Sequence, residues 1–244
     1  MTKKLILGLG PGRSGTMSLA KFLDSQKRSY FAHEGAFTMP KLFKYTTGAY
    51  LPWEVDIAKY EVWYSGLFSK SADALYFGDV GVSILPHVPL ILEKHPDAIF
   101  ICMTRNKEDV VKSFLRVTAG VNHWNSCHKI LSDLNIWYAM FPKIKESSKE
   151  ESIRIYVDRY YQQAEKFEQE YPTSFKIFDI HDLNSREGRL AIVSFAQIET
   201  TDHVIDAEFH SNRSMNPVFH FVLQIFLMVY VMTKKLKLFI TSRT

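Results

Sequence analysis

Residues 5–23 read LILGLGPGRSGTMSLAKFL, and the fold turns on how this stretch is read. Leu5 to Leu9 is a short run with apolar residues on both sides of the strand alternation, the pattern of a strand covered on both faces. Gly10-Pro11-Gly12-Arg13-Ser14-Gly15 follows as a turn. Met17, Leu19, Ala20 and Leu23 then recur at helical spacing. Strand, glycine-rich turn and helix start, in that order, gather several backbone N–H groups at one point with the helix dipole behind them. Such a point holds an anion.

Downstream, RSYFAHE (28–34) predicts a second strand that ends in His33 and Glu34. ALYFGDVGVS (74–83) begins as a strand and ends in glycines, and LPHVPLILEKHP (85–96) reads as a helix framed by prolines. AIFICMTR (98–105) is the clearest central strand. NKEDVVKSFLRVTAG (106–120) follows as a helix, acidic in its first turn and basic later, as helix termini prefer. Residues 129–170 read as mostly helical, with KIKESSKEE (143–151) a hinge or helix end. SFKIFDI (174–180) is a last strand, and 183–198 a loop leading into a helix. Strands separated by helices predict an α/β protein: a P-loop NTPase-like three-layer fold with a central, mainly parallel sheet and helices on both faces. Residues 1–216 are expected to form one domain, with insertions near 37–70 and 117–170 that cover a substrate.

The remaining 217–244 is different. Val218 to Met232 is apolar but for His220 and Gln224, and TKKLK follows. As a helix this run reaches about 22 Å, short of a hydrocarbon core of about 30 Å. The expectation is a buried helix, or a segment (217–240) held against a membrane or a second copy of the chain. Across the 244 residues, 30 Lys+Arg against 26 Asp+Glu leave a formal charge of +4, which suits a local anion pocket rather than a surface that coats nucleic acid. Two cysteines, Cys102 and Cys127, make no disulfide framework, so a reducing, cytoplasmic setting is expected, with peripheral membrane contact the alternative. LILGLG is too short an apolar stretch for a secretory signal.

Which anion follows from what the turn lacks. Against the ATPase pattern GxxxxGK[ST], aligned on Gly10 and Gly15, Thr16 takes the lysine position and Met17 the hydroxyl position. The groups that would reach a γ-phosphate and its Mg²⁺ are missing, while a basic side chain, Arg13, sits inside the turn. A dinucleotide site is disfavoured because the nearest acid, Asp24, falls within the first helix.

The loop GPGRSGTMSL, the later MTRNKEDVVKSFLR and their separation resemble the sulfotransferases that use 3′-phosphoadenosine 5′-phosphosulfate (PAPS) and release adenosine 3′,5′-bisphosphate. The likeness covers residues 5–34 and 75–116, with a weaker echo over 171–198; 37–70 and 117–170 are unmatched. The resemblance implies that Gly12, Arg13, Ser14, Gly15, Thr16 and Met17 wrap the 5′-phosphosulfate, and that Arg105 and Ser113 hold the 3′-phosphate. Arg105 stands at a strand end, where open α/β sheets bind ligands, and guanidinium pairs well with phosphate. Family members acting on carbohydrates carry a glutamate base about this far beyond the loop, which maps onto Glu34, with His33 and His123 as alternatives. A basic loop late in the chain makes Arg213 a further phosphate contact, although the expected neighbouring glycine is absent.

Asp79, after a strand-like run, is expected to face the cleft and to orient the acceptor or Arg13. A lysine or threonine is often found in that region of the family; this chain has Gly78-Asp79, with Lys41, Lys44 or Lys59 as substitutes. His123, Cys127 and His128 lack a fourth zinc ligand, and no metal is expected. Tyr45, Tyr50, Trp53, Tyr60, Trp63, Tyr64 and Trp124 either stack on a small-molecule or saccharide acceptor or pack the core. Two further readings stay open at this level: a small-molecule P-loop kinase, and a non-catalytic nucleotide- or partner-binding protein.

Overall fold

The computed structural model describes residues 3–34, 51–118, 122–124, 141–144 and 148–206. Strands β1 (Lys4–Leu9), β2 (Ser29–His33), β3 (Tyr76–Val80), β4 (Ile99–Thr104) and β5 (Phe175–Asp179) form one sheet in the order β2-β3-β1-β4-β5. Every pairing is parallel. The helices are α1 (Thr16–Asp24), α2 (Ile57–Lys70), α3 (Val88–Lys94), α4 (Lys107–Val117), α5 (Lys149–Glu170) and α6 (Arg186–Phe195). This is an α/β fold with a parallel central sheet and helices on both faces.

Strand alternation explains the layering. Leu5, Leu7 and Leu9 of β1, with Phe100 and Cys102 of β4, enter a core shared with α2, α3, α4 and α5. Ile6 of β1 and Ile99, Ile101 and Met103 of β4 turn the other way, toward α1 and α6. A strand covered on both faces must be apolar at both parities, which is why 5–9 and 98–103 read as continuous runs. β1 lies at the centre: one connection runs from it to β2, and the chain later crosses back over it to reach β4. The carboxyl ends of β1 and β4 therefore flank a topological switch point, the crevice in which such sheets bind ligands.

Several expectations are corrected. Met17 is 42% exposed, so the apolar face of α1 is carried by Leu19, Ala20, Phe22 and Leu23 instead. The helix expected over 85–96 divides into a 3-10 helix, Val82–His87, and α3, because Pro86 and Pro89 cannot donate to an α ladder. Tyr60, Trp63 and Trp124 are buried core residues, which removes them as stacking platforms. Free Cys102 is sealed in β4, as a small apolar residue would be. Among the described residues no helix is long and apolar enough to cross a membrane. The segment 217–244 and Arg213 lie outside the described residues.

Candidate active site

At the end of β1 the chain turns through residues 10–15, and Gly12, Arg13 and Gly15 all take positive φ (78°, 58° and 99°). Glycine accepts that region freely; for Arg13 it is strained, and such strain concentrates at functional positions. Three tyrosines of α5 fix the turn and the end of β4. Gly10 N donates to Tyr160 Oη at 2.9 Å, Tyr160 Oη donates to Val82 O at 3.2 Å, and Tyr156 Oη donates to Pro11 O at 2.9 Å. Tyr161 Oη donates to Arg105 O at 2.8 Å and accepts from Arg105 N at 3.0 Å. Tyr160→Phe leaves a buried N–H without its acceptor and is expected to cost about 1–3 kcal/mol of stability, read from denaturant midpoints.

The first N–H groups of α1 have no side-chain cap. Gly15 caps the helix without a side chain, and its first turn holds no acid. α2, α4, α5 and α6 are each capped by a side chain (Asp56, Asn106, Ser148, Ser185); α3, like α1, has no side-chain cap, and carries Pro89 in its first turn. Unmet N–H groups at a helix start, with the dipole aligned, attract anions. Ser14 Oγ is buried beside them and has no hydrogen-bond partner among the described residues. A hydroxyl in that state is ready to bond a group placed in the turn.

Arginines converge on the same point. Arg13 Nε donates to Ser113 Oγ at 3.0 Å, and Arg105 Nη1 donates to Arg13 O at 3.3 Å. Arg105 also approaches Asp109 at 3.6 Å. Burial, then the charges of Arg116 and Arg105, hold the Arg13 guanidinium below the ordinary arginine range, with Glu34 opposing them. The structure thus brings Arg13, Arg105 and Ser113 together.

Glu34 borders this cluster. Its N–H donates to Val80 O at 2.9 Å, extending the β2–β3 ladder by one residue, and its φ is 45°. Burial first, then Asp79, pushes its carboxyl up to about 7, while Arg13 pulls the other way. Asp79 does not lie open in the cleft: it is 2% exposed, and its Oδ2 accepts from Trp63 Nε1 at 2.9 Å. Asp79 acts on Glu34 through its charge. His33 contacts Thr16 Oγ1 at 3.4 Å, and burial, then Lys21, lowers it to about 4, making it a weak base at neutral pH. His123 is buried beside Trp124. Lys59 lies on an exposed stretch of α2, 3.7 Å from Asp56. Beside the site a cavity of about 590 Å³ opens between α3 and α5, its lining including Trp53, Leu85, Tyr156, Arg159 and Tyr160. Lys41, Lys44, Tyr45, Tyr50, Cys127 and His128 lie outside the described residues, among which no metal-binding cluster occurs.

Sequence reasoning missed the α5 tyrosines and the burial of Asp79 under Trp63. Tyr156 and Tyr160 lie about one helical turn apart within an amphipathic stretch, with Tyr161 next to them, but nothing local connects them to a turn far away in the chain. A family model described as "Sulfotransferase family" matches residues 6–163, well over half of the chain. No curated protein matches it.

Proposed function

We propose that this chain, which belongs to the sulfotransferase family, transfers a sulfuryl group from PAPS to a hydroxyl or amine of a small-molecule or saccharide acceptor. The observation that carries this reading is the meeting of Arg13, Arg105 and Ser113 at the switch point, with the charge of Arg13 acting on the Glu34 carboxyl. The residues fit the donor. The α1 N-terminus without a side-chain cap, the Ser14 hydroxyl and Arg13 suit a 5′-phosphosulfate, and Arg105 with Ser113 suits a 3′-phosphate. In this reading residues 10–15 are the phosphate loop of a P-loop NTPase-like fold, adapted to a nucleotide with no γ-phosphate.

PAPS supplies an activated sulfuryl group on a phosphate leaving group. The acceptor loses a proton to Glu34 as its oxygen or nitrogen bonds to sulfur, and the bond from sulfur to the phosphate oxygen breaks. Arg13 and the loop amides hold the charge that gathers on the departing oxygen. Glu34 suits the base role better than His33 because its raised carboxyl still ionises near neutral pH, whereas His33 is far weaker. Trp53, partly exposed, lines the 590 Å³ cavity and its ring meets that of buried Tyr156, which feels the charge of Glu34, so an acceptor ring resting on Trp53 would end near the base.

Calorimetric titration of the full chain tests the reading. Adenosine 3′,5′-bisphosphate is expected to bind in the micromolar range or tighter, without Mg²⁺, and ATP-Mg²⁺ at least about tenfold more weakly. Binding of ATP-Mg²⁺ without binding of the bisphosphate would overturn it in favour of a kinase.

A further inference from the structure

The cavity between α3 and α5 has two unlike sides. Pro86 and Pro89 give it apolar rings and no N–H on one of them. Trp53, partly exposed, also lines it, with its ring 6.0 Å from that of Tyr156 and 6.1 Å from that of Tyr160. Those two buried rings are themselves fixed, because their hydroxyls are tied to Pro11, Gly10 and Val82. A flat ligand ring therefore finds a held aromatic surface in Trp53.

The polar groups come from α5. Arg159 and Gln163 are four residues apart, so they share one helix face, and both line the cavity. Among the described residues neither makes a hydrogen bond or an ion pair. Their charged neighbours on the helix are engaged: Arg154 with Glu108 and Glu150, Asp158 with Lys107 at 2.9 Å, and Lys166 with Glu170 at 3.8 Å. Lys166 and Glu170 line the cavity too, where their charges offset each other. Among the described lining residues one positive charge is thus unmatched, with a free amide one turn along, beside an apolar space of about 590 Å³. That volume is typical of small-ligand pockets, and a guanidinium with an amide suits one carboxylate.

Resting on the sulfotransferase reading, we infer that the acceptor is itself an acid: a compact ring-bearing hydroxy acid whose ring lies on Trp53 and whose carboxylate pairs with Arg159 and Gln163. Arg159 follows Tyr156 by three residues, so the row that meets Trp53 and the row that carries the charge are about 5–6 Å apart, and a short spacer between ring and acid spans them. The acceptor hydroxyl, on the far side of the ring, loses its proton to Glu34 as its oxygen bonds to sulfur. The bond from sulfur to the phosphate oxygen breaks, leaving a sulfate ester and adenosine 3′,5′-bisphosphate. Arg159 touches none of the reacting atoms; it selects the acceptor and sets which end of it meets the base.

The test is calorimetry on the full chain with para-hydroxyphenylpropanoate and with its amide, which keeps the shape and loses the charge. The acid is expected to bind about tenfold more tightly than the amide, the scale of one charge-assisted hydrogen bond. Arg159→Gln should abolish that preference, weakening the acid about tenfold and the amide by less than about twofold. Trp53→Leu should weaken both alike. Lys112→Gln, which removes an exposed cation of α4 away from the cavity lining, should change neither. In turnover with PAPS, Arg159→Gln should raise KM for the acid and leave kcat almost unchanged, since the ion pair is made equally in ground and transition states. Arg159 is exposed, so the variant should melt like the wild-type protein. Equal binding of acid and amide to the wild-type chain overturns the inference, as does a preference for the acid that survives Arg159→Gln. A chain that prefers the acid but does not bind adenosine 3′,5′-bisphosphate keeps the cavity as an acid site and removes the sulfotransferase reading, and with it the acceptor role. A chain that binds the bisphosphate without preferring the acid keeps that reading and loses only this inference.

Discussion

Glu34→Gln is expected to bind adenosine 3′,5′-bisphosphate like the wild-type chain and to lose about 10²–10⁴-fold in turnover, the range a positioned general base supplies. The substitution keeps the shape of the side chain and removes only its capacity to take a proton. The pH profile of the wild-type enzyme follows from the same carboxyl, which stands at about 7. Protonated Glu34 cannot act as a base, so kcat/KM should fall about tenfold per unit below that value and level off above it. Stability runs in the opposite sense. The carboxyl is raised from an ordinary 4.5, so the fold favours its neutral form. That preference is fully present below 4.5 and is lost as pH rises through about 7. The glutamine cannot ionise, so at pH 8 the variant should be the more stable protein, by on the order of 1–3 kcal/mol given the partial exposure of the site. Below pH 4.5 the two should converge. A protein that gains stability while losing activity is difficult to explain by damage to the fold. Full turnover in Glu34→Gln with nucleotide binding intact would move the base elsewhere.

The parts of the site that were legible in the sequence are those encoded locally. A strand, a glycine turn and a helix start lie within twenty residues, and their order alone places Arg13 and Ser14 in the turn between β1 and α1. Arg105 and Ser113 follow from a strand end and the helix after it, so their approach to the turn needed only a parallel sheet. What was hidden depends on contacts between distant segments. Tyr160 and Tyr156 meet Gly10 and Pro11 across separations of 150 and 145 residues, and no periodicity in α5 announces which hydroxyl tips reach a turn. Asp79 looked like a strand-end acid facing the cleft; Trp63, sixteen residues earlier, covers it and turns it into a buried charge acting on Glu34. Met17 had helical spacing but lies on the open side of α1, since spacing alone does not say where the apolar stripe ends.

The second large effect is structural and falls at Gly78, next to Asp79. Gly78 lies on β3 between the registered pairs Leu5–Phe77 and Gly8–Val80, so it faces Ile6 of the central strand. A methyl group at position 78 would fall on the Ile6 carbonyl oxygen, 2.8 Å from the Ile6 carbonyl carbon and 2.9 Å from the Phe31 ring. Backbone atoms cannot swing aside as a flexible side chain can. β1 is also held on its other edge by β4, through Ile6–Ile99 and Leu7–Phe100. Gly78→Ala is therefore expected to cost more than about 4 kcal/mol, the exceptional end for one substitution, against a total of about 5–15 kcal/mol. Denaturant titration should show a collapsed midpoint or no cooperative transition. Gly81→Ala is the matched comparison. It lies three residues on in extended backbone (φ −157°), where a methyl would meet nothing closer than 3.8 Å. That variant should stay within about 1 kcal/mol of wild type, as substitutions without a clash do. If both alanines fold equally well, β3 does not approach β1 as described. The loop that β1 carries into the site would then need another support. If Gly78→Ala alone collapses, the packing of one strand against another has excluded any side chain at 78.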